Sequence, residues 1–272
     1  MPAWAVVLIV IAAVLCVDLV VLAVLGARMR SSLAKGPAAV GNRAFWDRFA
    51  PMYALAMGKT DPAYDEVASQ LADIITPEMD VLEVACGTGQ FTGRLTGQAN
   101  SWVACDFSAP MIDEARESGL PDDVRLMVAD ATDLPFDDAS FDVVLIGNAL
   151  HVMEEADAAL AQARRVLVDG GLLLAPTFVH EPRHRAGALE LVARYLGMRT
   201  YHAWDSTSLE DFVSSHGFMV EQCEVVDAVP LPMCLIVARR SERVTDPLAA
   251  EALEGPAVAE DPDDEVITGD AE

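Results

Sequence analysis

The sequence is poor in positive charge. Its 272 residues carry 18 Lys and Arg against 43 Asp and Glu, a formal net charge of −25 at pH 7. Only two of the cations are lysines, Lys35 and Lys59. Binding to nucleic acid requires a basic face that neutralises phosphates, so this composition argues against a nucleic-acid groove.

Much of the acidity lies at the C-terminal end of the chain. Ten acidic residues and no basic residue lie between Asp246 and Glu272, with Pro and Gly scattered among them. Such a segment cannot bury enough apolar surface to offset the entropy lost on folding. We therefore predict an acidic disordered tail over residues 241–272.

Cysteine is scarce, and its spacing does not suggest a metal site. The five cysteines form no C-x-x-C pair, and no histidine lies beside them at metal-ligand spacing. They are Cys16, Cys86, Cys105, Cys223 and Cys234. We expect free thiols in a reducing compartment and no metal; a redox pair of Cys86 and Cys105 is the alternative.

A long hydrophobic run begins near the N-terminus. Between Ala3 and Leu25 there are 23 residues, of which fifteen are Val, Leu or Ile and one, Asp18, is charged. As a helix the run is roughly 34 Å long, enough to cross a bilayer core. The pattern predicts a transmembrane anchor over residues 1–27 and a juxtamembrane linker over residues 28–41.

The charges beside this run predict its orientation. Arg28, Arg30 and Lys35 follow it, whereas no basic side chain precedes it. The positive-inside rule then predicts a single-pass membrane protein with its C-terminal bulk in the cytoplasm. A cleaved signal peptide is the alternative, but it requires a basic n-region and a shorter apolar core.

The sequence pattern predicts one α/β domain over residues 42–240. Two helices are expected between Asn42 and Thr76, and the second begins at Pro62. Strands are then expected at Asp80–Val84, Ser101–Cys105, Val124–Val128, Phe141–Ile146, Leu172–Pro176, Val220–Val226 and Cys234–Ala238. Helices are expected from near Gln90 and at Ala109–Ser118, Ala156–Val168, Arg185–Leu196 and Ser208–His216.

This alternation predicts a doubly wound, mostly parallel, seven-stranded Rossmann-like sheet covered on both faces. The last two strands are too close in sequence for a crossover helix, so they should form an antiparallel hairpin at the sheet edge.

The most informative segment is VLEVACGTGQFT, from Val81 to Thr92. A buried strand runs into a loop of small residues, which lets backbone N–H groups approach a ligand. In an open α/β sheet, ligands bind beyond the carboxyl ends of the strands. The residues that follow the next strands are Asp106, Asp130 and Asn148.

The order of four segments identifies a family. VLEVACGTG, CDFSAPMIDEAR, VADATDLPFDDASFDVVLIGNALH and ALAQARRVLVDGGLLL follow one another in this chain. Together they resemble the class I S-adenosylmethionine-dependent methyltransferases, and among them the broad group that includes quinone and small-molecule methylases. The resemblance covers roughly Phe45 to Arg239 and implies S-adenosylmethionine as the cofactor.

The resemblance also implies roles near the methionine end of the cofactor. Glu83 would support the loop that holds this end, and Asn148 would contact the cofactor near its sulfonium. Tyr53, on the first helix, would close over the site. The loop residues are Ala85, Cys86, Gly87, Thr88 and Gly89.

At the other end of the cofactor, the resemblance implies that Asp106 binds the ribose hydroxyls. Phe107 and Met111 would flank the adenine. Asp130 would accept a hydrogen bond from the adenine amino group, and the Ala131 backbone would contact the ring.

One residue departs from the family pattern. The first loop glycine common in the superfamily is Ala85 here, which we expect to adopt ordinary backbone angles. The loop also lacks the G-x-G-x-x-G spacing of nicotinamide enzymes, because Phe91 occupies the place of the third glycine. This spacing argues against a dehydrogenase.

His151, which follows the fourth strand, is the candidate general base. A structural histidine is the alternative. The sequence therefore predicts a membrane-anchored methyltransferase that acts on a small apolar or membrane-associated acceptor. The alternative function is a non-catalytic module that binds S-adenosylmethionine and recruits partners at the membrane.

Overall fold

The computed structural model describes residues 43–57, 62–181, 199–228 and 231–241. The predicted anchor, the linker, the acidic tail and the helix expected at Arg185–Leu196 lie outside these ranges. Within them, no helix has both the length and the apolar character needed to cross a membrane.

One mixed sheet organises the described residues. Its strands are β1 (Asp80–Val84), β2 (Ser101–Asp106), β3 (Val124–Val128), β4 (Phe141–Ile146), β5 (Leu167–Leu174), β6 (Thr177–Phe178), β7 (Phe218–Val226) and β8 (Met233–Arg240). The strand order is β3-β2-β1-β4-β5-β8, and β7 pairs with the far side of β8. The first five strands are parallel, and β8 is antiparallel to β5, β6 and β7.

Helices cover both faces of the sheet. They are α1 (Arg43–Met57), α2 (Pro62–Ala72), α3 (Thr92–Leu95), α4 (Ala109–Glu117), α5 (Ala156–Val166) and α6 (Ser206–Ser215), with a 3-10 turn at Leu150–Val152. As predicted, Ser108 caps α4: its hydroxyl accepts the Met111 N–H at 3.4 Å. At α6, Asp205 and Ser208 form a reciprocal capping box.

Two hydrophobic clusters, one on each face, stabilise this arrangement. Leu82 and Val84 of β1 point to the face that α5 and α6 cover. Val81 points to the opposite face, where it packs with residues of α2 such as Leu71. Both faces are buried, so the central strands read as continuous apolar runs rather than as alternating ones.

The predicted Rossmann-like sheet is confirmed, including the antiparallel hairpin of β7 and β8. It differs from the prediction by an eighth strand, the two-residue β6, which pairs with β8 beyond the end of β5. In addition, β5 begins at Leu167 rather than at Leu172, so the helix before it ends earlier than expected. Gly170 has a positive φ of 74° inside this strand and marks an irregularity within β5.

The topology determines where a ligand can bind. The chain proceeds from β1 outward to β2 and β3, then returns to the other side of β1 to form β4. The loops that leave β1 and β4 therefore diverge and open a crevice at the carboxyl edge of the sheet.

Candidate cofactor and acceptor site

A cavity of about 290 Å³ lies in this crevice. Its walls come from α1, α2 and the loops that follow β1, β2, β3 and β4. Five acidic residues and one basic residue, Arg43, line it. The acidic residues are Glu83, Asp106, Asp130, Glu154 and Glu155. This cavity therefore favours a cationic ligand with many hydrogen-bond donors over an anionic one.

The cavity brings together eleven of the thirteen residues that the family resemblance places at the cofactor. These are Tyr53, Glu83, Ala85, Cys86, Gly87, Asp106, Phe107, Met111, Asp130, Ala131 and Asn148. Thr88 and Gly89 are buried behind the wall instead. Thr88 Oγ1 accepts a hydrogen bond from Gln90 Nε2 at 2.5 Å, and Gln90 itself reaches the cavity.

The loop after β1 depends on residues with positive φ. Gly87 and Gly89 have φ values of 56° and 87°, which glycine adopts without steric cost. Ala85 has a φ of 55°, so the expectation of ordinary backbone angles at this residue was wrong. The loop imposes the same left-handed conformation on Ala85, whose Cβ makes it unfavourable.

Glu83 is buried beneath this loop and has two hydrogen-bond donors. Its Oε2 accepts from Thr92 Oγ1 at 2.6 Å and from Trp102 Nε1 at 3.0 Å. Burial nevertheless dominates and raises the pKa of Glu83 to about 7. The carboxyl group therefore holds the base of the loop and would gain from a cationic ligand above it.

Asp106 ends β2 and is 5% exposed. Its Oδ2 accepts the Gly87 N–H at 3.0 Å, and its Oδ1 accepts the Ser108 N–H at 2.9 Å. Burial raises its pKa to about 6. Each oxygen retains a lone pair, so the carboxylate can join the two loops and still accept from ligand hydroxyls.

The adenine-end residues predicted from the sequence follow β2 and β3. Phe107 and the buried Met111 provide apolar wall. Asp130 is exposed, and its Oδ1 accepts from the Thr132 backbone N–H at 3.0 Å and from Thr132 Oγ1 at 2.8 Å. These bonds form a local turn that presents Asp130 and Ala131 to the cavity.

Helix α1 covers the cavity on one side. Arg43 lies with its guanidinium carbon 5.3 Å from the Phe107 ring centre and donates to the Phe107 carbonyl at 2.5 Å. Trp46 also lines the cavity. Tyr53 approaches the loop so closely that its Cε1 would lie 3.5 Å from a Cβ at Gly87. Tyr53 therefore lines the cavity together with Arg43 and Trp46, and its closing over a bound cofactor stays a prediction.

The loop after β4 forms the opposite wall. Gly147 must lack a side chain, because a Cβ there would lie 2.4 Å from Phe91 Cδ2. Asn148 follows with a positive φ of 52°, and its Nδ2 donates to the Tyr64 hydroxyl at 2.7 Å. Its Oδ1 is buried without a partner among the described residues. The amide oxygen can therefore accept a hydrogen bond from a ligand.

His151 lies behind the cavity wall rather than on it. The side chain is buried, and its ring packs edge-on against Phe178 with centres 5.8 Å apart. Burial, together with His180 and His202, lowers the pKa of His151 to about 4. The imidazole is therefore neutral at pH 7, and its role as a general base stays a prediction.

Several wall residues were not assigned from the sequence. Tyr64 comes from α2, Val152 and Met153 from the turn after β4, and Tyr201 from the segment before α6. Tyr201 reaches the cavity because its backbone N–H donates to the His151 carbonyl at 3.0 Å. No local sequence signal reports such a long-range contact.

Four of the five cysteines lie within the described residues. Cys86, Cys105, Cys223 and Cys234 are all free thiols. Burial raises the pKa of Cys105 to about 12, which makes this thiol unreactive. In the described ranges, no group of His, Cys, Asp or Glu side chains could hold a metal ion.

The fold and the cavity define a Rossmann-like enzyme of the methyltransferase type. The family described as "Methyltransferase domain" matches residues 82–175. A demethylmenaquinone methyltransferase of Clavibacter sepedonicus is 33% identical over 197 residues, which cover 71% of this chain and 76% of the relative. The chain belongs to the class I S-adenosylmethionine-dependent methyltransferase family, and S-adenosylmethionine is its cofactor.

Solved structures agree on the fold. A SAM-dependent methyltransferase from Thermotoga maritima has a TM-score of 0.53 at 18% identity, covering 72% of this chain and 98% of that one. The trans-methyltransferase CalH in complex with SAH has a TM-score of 0.54 at 21% identity, covering 65% of this chain and 58% of that one.

Proposed function

We propose that this enzyme transfers the methyl group of S-adenosylmethionine to a ring carbon of a quinol dissolved in the membrane. The observation that carries the proposal is the 33% identity with a demethylmenaquinone methyltransferase along 76% of that protein. A second such enzyme, from Renibacterium salmoninarum, is 35% identical over 156 residues. The apolar part of the cavity wall, which includes Phe91, Val152 and Met153, suits an aromatic acceptor.

The residues of the cavity fit the cofactor. Its sulfonium and ammonium groups are cations, and its ribose carries two hydroxyl donors. Glu83 and Asp106 are buried carboxyls, and burial raises the pKa of each, so a cationic ligand beside them would favour their charged forms. In this proposal Asp106 accepts from the ribose, the loop at Ala85–Gly89 holds the methionine end, and Asn148 lies near the sulfonium.

When bound, the cofactor supplies an electrophilic methyl group on a good leaving group, so the protein mainly positions and desolvates the reactants. An electron pair of the acceptor forms the new C–C bond as the S–CH₃ bond breaks and its pair remains on sulfur. The acceptor ring loses one proton overall. His151 is neutral and stays the candidate base for it.

The test is methyl transfer by the full chain in detergent. With isotopically labelled S-adenosylmethionine and 2-prenyl-1,4-dihydroxynaphthalene, kept reduced, we expect a labelled product whose methyl group NMR places on a ring carbon. A methyl group on oxygen, or no transfer to this acceptor, would overturn the proposed acceptor and reaction.

Asp106→Ala tests the cofactor site independently of the acceptor. We expect at least tenfold weaker binding of S-adenosylmethionine by calorimetry, because a buried acceptor is lost. Asp113→Ala removes an exposed carboxylate from α4 and serves as the matched control. Equal affinities for both variants would contradict the ribose assignment.

We also propose that residues 3–25 anchor the enzyme in the membrane, with the catalytic domain in the cytoplasm. Support comes from the 23-residue apolar run and from the cations that follow it, Arg28, Arg30 and Lys35. A tethered enzyme would meet an acceptor that is concentrated in the bilayer.

A further inference from the structure

Several buried polar atoms around the loop after β4 have no protein partner. In the described part of the chain, Asn148 Oδ1, His151 Nδ1, Tyr201 Oη and His202 Nε2 make no hydrogen bond. A buried polar atom without a partner has lost its hydrogen bonds to water and gained none in exchange, so native proteins rarely leave such atoms unexplained. Asn148 and Tyr201 also line the cavity. Both residues therefore belong to the wall that a bound molecule would contact.

A fixed backbone holds Tyr201 in this position. The His151 carbonyl accepts the N–H groups of Tyr201 at 3.0 Å and of His202 at 3.2 Å. The His202 ring in turn stacks on Trp204 at 4.4 Å between centres, nearly parallel at 3°. Backbone hydrogen bonds thus hold Tyr201 against the turn after β4, and its hydroxyl takes no part in them.

The chemistry of this wall suits a hydroxylated ring. A tyrosine hydroxyl can both donate and accept a hydrogen bond. Phe91, Val152 and Met153 supply apolar surface to the same cavity. A flat apolar molecule with an oxygen on its ring would fill this part of the cavity and give the Tyr201 hydroxyl a partner.

We propose that the Tyr201 hydroxyl donates a hydrogen bond to the ring oxygen of the acceptor and so selects free quinols over their ethers. The inference rests on the proposed function, because it takes a quinol as the acceptor. Tyr201 acts here as an acceptor-binding residue. This contact would orient the acceptor so that the ring carbon adjacent to that oxygen faces the methyl group. Backbone hydrogen bonds hold the tyrosine in position.

The test is equilibrium binding to the full chain in detergent, saturated with S-adenosylhomocysteine. Tyr201→Phe removes only the hydroxyl. We expect the variant to bind 2-prenyl-1,4-dihydroxynaphthalene about tenfold more weakly, because one hydrogen bond at a buried site is lost. Affinity for its dimethoxy analogue should change less than twofold. Ser215→Ala, which removes an exposed hydroxyl at the end of α6, should bind both probes as the wild type does.

A merely structural role predicts different results. Because the Tyr201 hydroxyl has no hydrogen-bond partner among the described residues, the melting temperature of Tyr201→Phe should not fall. A lower melting temperature, an equal loss for both probes, or unchanged quinol affinity would each overturn the inference. If the wild type binds neither probe, the proposed function fails as well; if it methylates the quinol and Tyr201→Phe does so equally, only the inference fails.

Discussion

Ala85 is a residue at which the loop, not the side chain, determines the conformation. Its φ of 55° lies in the left-handed region, where an L-residue with a Cβ costs roughly 1–2 kcal/mol relative to right-handed angles. This backbone strain is kept at the cofactor site, where strained residues are often found in proteins.

Ala85→Gly should therefore stabilise the protein by about 1 kcal/mol, because glycine adopts positive φ without a steric penalty. Urea unfolding of the variant that begins at Ser31, measured without cofactor, would show this gain. Ala161→Gly, at an exposed position within α5, should instead destabilise by about 1 kcal/mol. Destabilisation by both substitutions would mean that strain at Ala85 is not relieved by glycine.

Glu83 predicts a dependence of stability on pH. Its pKa is about 7 in the folded protein against 4.5 for the ordinary group, so the folded state keeps a proton that the unfolded state has lost. The resulting stability is complete below pH 4.5 and disappears as pH rises through 7. Glu83→Gln should remove this pH dependence. As the pH rises from 4.5 to 7, the unfolding free energy of the variant should increase relative to that of the wild type by roughly 3 kcal/mol.

Unfolding free energies at pH 5, 6, 7 and 8, without cofactor, would measure this change. Gln keeps an oxygen that can accept from Thr92 and Trp102, so the substitution fits the site. Glu78→Gln removes an exposed carboxyl and should follow the wild type at every pH. A constant difference between Glu83→Gln and the wild type would contradict the raised pKa.

At the scale of elements, three of the parallel strands were the most predictable. The bounds of β1, β3 and β4 match those expected, because runs of five or six mostly apolar residues end at loop residues on both sides. The start of β5 was not predictable, since Gly170 and Gly171 are typical of a turn. The two-residue β6 exists only because it pairs with β8, which the local sequence cannot report.

The candidate site likewise combines residues that the local sequence could place with residues that depend on long-range packing. Glu83 and Asp106 lie at the carboxyl ends of β1 and β2, and Asp130 and Asn148 come two residues after β3 and β4. The strand assignments were therefore enough to place these side chains at one edge of the sheet. Arg43, Tyr64 and Tyr201 reach the cavity through helix packing and one backbone contact. His151 follows a strand too, but the 3-10 turn buries its ring behind the wall.

Helix α1 is the element whose contribution to cofactor binding is most easily tested. Arg43 joins it to the loop after β2 through the Phe107 carbonyl and the Phe107 ring. Arg43→Ala should weaken the binding of S-adenosylmethionine about fivefold, since one hydrogen bond and one exposed cation–π contact are lost. Calorimetry would measure this effect.

The matched control is Arg48→Ala, because Arg48 is an exposed cation on the same helix that does not line the cavity. Its affinity should equal that of the wild type. If both variants lose affinity alike, the effect comes from the net charge of α1 and not from its attachment to Phe107.

At the scale of the whole molecule, the chain combines a strongly acidic composition with one long apolar run. The net charge of −25 opposes binding to anionic lipid surfaces, and the cations Arg28, Arg30 and Lys35 that would attract such lipids lie directly after the apolar run. Stable residence at the membrane would then depend on the apolar run itself.

Deletion of residues 1–30 should release the enzyme from membranes and leave its affinity for S-adenosylmethionine unchanged, because all the cavity residues that the structure describes lie after residue 42. In vesicles that contain a long-chain prenyl quinol, kcat/KM should fall at least tenfold, since the freed domain no longer shares a surface with its acceptor. The same deletion should not change kcat/KM for a short-chain quinol in solution. Fusion of an unrelated transmembrane helix to residues 31–272 should restore the vesicle activity. If the deleted protein still pellets with membranes, or if the two quinols respond alike, residues 1–30 are not the anchor that delivers the enzyme to its acceptor.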